Sequence, residues 1–171
     1  MRKESFPVTL ARNSLQYYLS HHKIMPVPLE LPEKAQRAAG VFVSLKKDGE
    51  LKGCIGTFAP TQENVAAEII HNAISAGTRD PRFPAVKASE LPEMDISVDI
   101  LSPAEPVDEM TQLDPKIYGI IIRCDQRSGL LLPDLDGVDT VDQQIAIAMQ
   151  KAGIHAGEEV EMFRFTVTRY K

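Results

Sequence analysis

Several things this sequence lacks narrow its reading before any motif is considered. Its longest apolar stretch lies near Tyr118–Ile122, which is strand-sized and far short of a membrane span. No apolar stretch follows Met1-Arg2-Lys3-Glu4-Ser5-Phe6-Pro7, so no signal peptide is expected. Basic residues are not in excess. Lys and Arg number 19 against 24 Asp and Glu, for a formal net charge of −5. That balance provides no overall positive field to draw in nucleic acid or an anionic membrane, though a local basic patch stays open. Cysteine is scarce, with Cys54 and Cys124 alone. Two thiols without a secretion signal read as free cysteines in a reducing compartment, and a cytoplasmic location is expected. Zinc-type Cys/His spacing, G-x-G-x-x-G, a Walker loop and G-x-S-x-G are all missing. No internal repeat or low-complexity tract appears.

What remains is an ordinary globular composition, 43% hydrophobic and 25% charged over 171 residues. One domain covering 1–171 is expected, with a candidate subdomain joint near 102–116, where Pro, Asp and Glu gather. Apolar spacing predicts a helix over Thr9–His22, broken by Met25-Pro26-Val27-Pro28, and a short helical turn at Glu33–Ala38. Val41–Leu45 and Leu51–Ile55 read as strands of a hairpin turning at Asp48-Gly49. Val65–Ala76 reads as a helix closed by Gly77, with Val65, Ala66, Ile69, Ile70, Ala73 and Ile74 in one stripe. Met94–Leu101 alternates as a half-buried strand with one mostly polar face. Tyr118–Arg123, Leu130–Leu132 and Val160–Tyr170 read as further strands, and Asp139–Ala152 as a helix ending at Gly153. Hairpins and helices mix without βαβ alternation, so the expected class is α+β with a mostly antiparallel sheet flanked by helices.

Three constellations carry candidate chemistry. In Leu51-Lys52-Gly53-Cys54-Ile55-Gly56, two glycines bracket a thiol, and glycine inside a strand marks a bulge or a close backbone approach. Thr57 and Thr61 add hydroxyls, and a helix start near Thr61 would aim its positive end nearby. Such a setting suits a nucleophile or an anion site, but from chemistry alone the first reading is a packed thiol beside glycines needed for tight contact. His71 is the nearest candidate base in sequence, yet its place beside the helix stripe fits a surface histidine. Adjacent His21 and His22 make a poor metal pair, and His155 reads as a loop residue. The second constellation, Arg79-Asp80-Pro81-Arg82-Phe83-Pro84, holds two guanidinium groups, a carboxylate and an aromatic on a proline-stiffened loop. It suits either an anion clamp or an Arg–Asp-tied loop with Phe83 as its plug. The third, Asp134, Asp136, Asp139 and Asp142 around Gly137, fails the calcium-loop pattern and reads as a solvated loop with Asp139 or Thr140 capping a helix. No metal site is expected, and no cofactor is indicated.

Leu51-Lys52-Gly53-Cys54-Ile55-Gly56 resembles the L-R-G-C-I-G hallmark of the AMMECR domain family, with Lys52 where the hallmark usually has Arg. The resemblance continues through Phe42–Glu50, Asp80–Pro84, Leu91-Pro92-Glu93, Ile96–Ser102, Tyr118-Gly119 and Gly129–Pro133. It implies an α+β fold with a larger and a smaller subdomain, and a functional surface around the hallmark. It also implies a place beside a Memo-type protein and a radical SAM protein, as in AmmeMemoRadiSam system protein A. The expectation is a binding or accessory module that uses Lys52, Gly53, Cys54, Ile55 and Gly56, with Arg79, Asp80 and Arg82, as its ligand or partner site. The alternative is an enzyme or enzyme subunit with Cys54 as nucleophile on a small anionic substrate. Nucleic-acid association is a lesser alternative that the acidic balance disfavours.

Overall fold

A computed structural model describes residues 4–171. The chain divides into two compact units, one of residues 1–100 with 168–171 and one of residues 101–167. The α+β class and antiparallel pairing expected from the sequence are both present, with the strands gathered into two four-stranded sheets.

The first unit runs α1 (Phe6–His21), α2 (Glu33–Gln36), β1 (Val41–Lys47), β2 (Glu50–Thr57), α3 (Val65–Thr78) and β3 (Asp95–Leu101). Its sheet order is β2-β1-β3-β8, where β8 is Val167–Tyr170. The β1–β2 hairpin turns on Asp48 and Gly49, with φ of 52° and 81°. Both central residues in the left-handed region match the twist of the flanking strands, which explains Asp-Gly here. Val41, Val43 and Leu45 of β1 point inward with no exposed surface and meet Ile96, Val98 and Ile100 of β3 across the ladder. Burying side chains of this size contributes about 1.5–3 kcal/mol each.

The six stripe residues of α3 are all buried, as their spacing predicts. Asn64 caps the helix, its Oδ1 accepting the Ala67 N–H at 2.9 Å. Gly77 lies inside α3 rather than closing it. A Cβ there would meet the Leu15 side chain of α1 at 2.7 Å, so the glycine admits close contact between the helices. Helix α1 starts at Phe6, ahead of the expected Thr9, because Pro7 is tolerated in a first turn where its missing N–H has no intrahelical partner.

The second unit contains β4 (Glu105–Pro106), β5 (Gly119–Cys124), β6 (Arg127–Leu131), α4 (Val141–Ala152) and β7 (Glu161–Phe165), with sheet order β4-β7-β5-β6. Ile120 and Ile122 of β5 join Leu131 and Ala148 in its core. Helix α4 opens with a reciprocal capping box between Thr140 and Gln143, and ends at Gly153 with φ of 66°. The expected strand Val160–Tyr170 is divided. β7 belongs to this sheet and β8 to the first, with Thr166 between them. The Ser102 hydroxyl accepts the Thr166 N–H at 2.8 Å, supplying the bond that the interrupted ladder does not.

Candidate functional site

Strand β2 lies at an edge of the first sheet, so alternate backbone groups on its outer side have no strand to pair with. Its register against β1 is irregular. Lys46 pairs with Leu51 and Leu45 with Gly53, leaving Lys52 as the extra residue of a β-bulge. Beyond the bulge Ser44 stands opposite Cys54. The Cys54 N–H and C=O are both engaged outside the ladder, as described below. Ser44 and Cys54 are therefore a non-hydrogen-bonded pair, the kind in which facing side chains come closest. Consistent with this, the Ser44 hydroxyl lies 3.2 Å from the Cys54 sulfur.

The outward groups of Cys54 are taken by the loop that follows α3. The Cys54 N–H donates to Asp80 Oδ2 at 3.0 Å, and Arg82 Nη2 donates to the Cys54 carbonyl at 3.3 Å. Asp80 also accepts Arg82 Nε on Oδ1 at 3.0 Å, Arg82 Nη2 on Oδ2 at 2.8 Å, and the Arg82 backbone N–H at 3.1 Å. One carboxylate and one guanidinium thus do the work of a neighbouring strand residue. The Asp80 side chain is 2% exposed and that of Arg82 57%. The Arg82 guanidinium, then the Cys54 and Arg82 N–H groups, hold the Asp80 carboxyl far below the ordinary range against the opposing effect of burial. Asp80 in turn raises Arg82 above its ordinary value. Arg82 also stacks over the Phe83 ring, 5.2 Å from its centroid.

Both glycines of the hallmark have packing tasks. A Cβ on Gly53 would lie 1.9 Å from the Ala76 carbonyl oxygen of α3. A Cβ on Gly56 would lie 2.2 Å from the Phe42 ring. Ile55 packs against the core of the first unit. Cys54 is half-buried, and Lys52 is half-buried with Nζ 3.1 Å from Glu50 Oε2. Asp80 and Arg82 are therefore brought to Cys54. Arg79 is not joined to them: it is the exposed C-cap residue of α3, and among the described residues its side chain has no hydrogen bond or ion pair. Among the described residues no group of three or more Cys, His, Asp or Glu is placed to hold a metal ion.

Thr57 and Thr61 serve a different partner from the one their neighbourhood implied. Both hydroxyls donate to Glu68 Oε1, at 2.6 and 2.7 Å, while the Thr61 and Gln62 N–H groups donate to Oε2 at 2.9 and 2.8 Å. Glu68 has no exposed surface. Burial alone raises a carboxyl pKa, and these four donors more than offset it, so Glu68 is held ionised below its ordinary value. Asn72 completes the network, donating to Thr57 Oγ1 and to the Val41 carbonyl at 3.1 and 2.9 Å. Sequence reading missed Glu68, Asn72 and Ser44. Glu68 and Asn72 sit four residues apart on α3, which is the signal that would have placed them on one face.

The second thiol has a comparable setting. Cys124 is 8% exposed, and Arg127 Nη2 lies 3.4 Å from its sulfur. Arg127 pairs with Glu158, and Arg127 Nη1 donates to the Gly153 carbonyl at the end of α4. The Arg127 guanidinium and then the His155 N–H lower the Glu158 carboxyl to about 2.

The AMMECR1 family model matches residues 8–170. A Thermotoga maritima protein is 51% identical over 160 residues, covering 92% of each chain. A Clostridium acetobutylicum protein is 48% identical over 166 residues; the match covers 96% of this chain and 35% of that longer one. The crystal structure of the uncharacterized protein PH0010 from Pyrococcus horikoshii superposes with a TM-score of 0.89 at 29% identity, covering 98% of this chain and 91% of that one.

Proposed function

Because the chain belongs to the AMMECR1 family, we propose that it is a cytoplasmic binding or accessory module whose contact strip is Lys52–Gly56 with Arg82. The observation that carries this reading is the pairing state of the strip. Lys52 is matched by Glu50 and Arg82 by Asp80, so neither cation is left whole for a free anion. A strip neutralised in this way favours a partner surface that reads shape and hydrogen bonds over a small charged ligand. The bulge falls at Lys52, and the exposed Arg82 reaches the strip at the Cys54 carbonyl. The partners of first choice are a Memo-type protein and a radical SAM protein. The test is capture of each by wild type and by Lys52→Glu. Capture that survives the charge reversal unchanged counts against this strip.

A second reading, Cys54 as nucleophile, rests on a half-buried hallmark thiol whose backbone carbonyl accepts Arg82 Nη2 at 3.3 Å. Against it, the sulfur's hydrogen-bond partner is the Ser44 hydroxyl rather than a base. Alkylation of Cys54 followed against pH separates the two. A slow reaction with an apparent pKa near or above about 8.5 sinks the nucleophile. A lower value with saturable protection by an anion favours it.

A further inference from the structure

At the β8 edge of the first sheet, opposite to β2, two adjoining cavities of about 440 and 580 Å³ share Glu33, Lys34, Ile100 and Tyr170 in their walls. Volumes of this size suit a small molecule. The first cavity has an apolar wall built from Phe6, Pro7, Val65 and Ile100.

The second cavity adds Arg37 beside Lys34. Lys34 and Arg37 are both exposed, have no carboxylate partner among the described residues, and donate no side-chain hydrogen bond there. Glu33 also faces this space, which leaves one net positive charge on the wall. We propose that this groove binds a small amphipathic carboxylate. Its apolar body lies against Phe6, Val65 and Ile100, and its head group sits between Lys34 and Arg37. A guanidinium and an ammonium held three residues apart suit a carboxylate, whereas an amine head would meet two like charges. This site is independent of the Lys52–Gly56 strip and stands or falls separately from it.

The experiment is an amide-resolved NMR titration of the full chain with butanoate, hexanoate and octanoate, and with octylamine as the opposite-charge control. Saturable shifts at Phe6, Ala35, Ile100 and Tyr170 are expected. Affinity should rise about fourfold per added methylene until the apolar cavity is filled. Lys34→Glu with Arg37→Glu should weaken octanoate at least tenfold, while Lys87→Glu, at an exposed position elsewhere, leaves it unchanged. Both groove positions are exposed, so the fold tolerates the change, and unshifted amides in the core verify this. The proposal is overturned by the absence of saturable shifts in the groove. An affinity indifferent to chain length, an affinity indifferent to the double reversal, or equal binding of octylamine overturns it as well.

Discussion

Replacing Asp80 by Asn tests whether the loop after α3 holds the edge of β2. The substitution keeps the shape and one carbonyl acceptor but removes the charge, and it turns an amide NH2 toward donors on Arg82 or Cys54. Four hydrogen bonds converge on this 2%-exposed carboxylate, two of them from a guanidinium. Hydrogen bonds to charged groups contribute about 1.5–3 kcal/mol each. The guanidinium is 57% exposed, so its share is discounted for solvent screening. We expect a loss of about 2–3 kcal/mol, a large fraction of a typical stability of about 5–15 kcal/mol.

A chain with two compact units need not unfold in one step, so the readout should be local. Hydrogen exchange of the Cys54 amide reports the bond in question directly. It should accelerate about 30- to 150-fold in Asp80→Asn, which is that energy expressed as an opening constant. The pH dependence has a definite sign. The folded carboxyl lies below its unfolded value, so its stabilisation is complete above the unfolded value of about 3.9 and is lost as pH falls toward the depressed one. The gap between wild type and variant should therefore be full at pH 7 and shrink below about pH 4. An acceleration under about threefold at neutral pH would refute the clamp, because it leaves less than about 0.7 kcal/mol for all four bonds.

Gly53→Ala drives a methyl into the Ala76 carbonyl at 1.9 Å, a backbone atom that no rotamer change can move aside. Hydrogen exchange of core amides in the first unit should show a loss of at least about 2 kcal/mol. Gly49→Ala, whose Cβ would meet open space at a φ of 81°, should lose only about 1 kcal/mol. Equal losses at the two positions would contradict the packing explanation of the hallmark glycine. Glu68→Gln places an amide among four donors and should cost about 2–3 kcal/mol at pH 7 by the same exchange measurement. The folded carboxyl of Glu68 is depressed, so that cost should fade as pH drops below about 4.3. A cost that grows on acidification has the wrong sign for an ionised Glu68.

Much of the fold was legible because apolar period and turn chemistry agree. The α3 stripe, the β3 alternation and the Asp48-Gly49 hairpin each satisfy one local rule. The rules failed where two demands met on one segment. Val160–Tyr170 has an unbroken strand composition, and only pairing with two different sheets divides it at Thr166. Gly77 reads as a helix stop because its small size is visible in sequence, whereas the Leu15 side chain that requires it is 62 residues away.

The candidate site was hidden by its bulge. Counting back from the Asp48-Gly49 turn pairs Ser44 with Gly53, which puts Cys54 opposite Val43 and turns it toward the core. The extra residue at Lys52 shifts that register by one, so Ser44 faces Cys54 and the thiol moves to the sheet face away from α3. The same shift turns the Cys54 N–H and C=O to the open edge, where they require a donor and an acceptor that β1 cannot supply. Asp80 and Arg82 supply them from 26 and 28 residues away. The resemblance in Leu51–Gly56 and that in Asp80–Pro84 are thus two halves of one edge closure rather than two separate sites. Three residues of the hallmark are explained by that closure and by packing: Gly53 by Ala76, Gly56 by Phe42, and the Cys54 backbone by the clamp. What packing leaves unexplained is the Lys52 side chain, the Cys54 sulfur and the exposed outer part of Arg82. Variants confined to those three groups test the proposed contact strip without disturbing the closure or the packing.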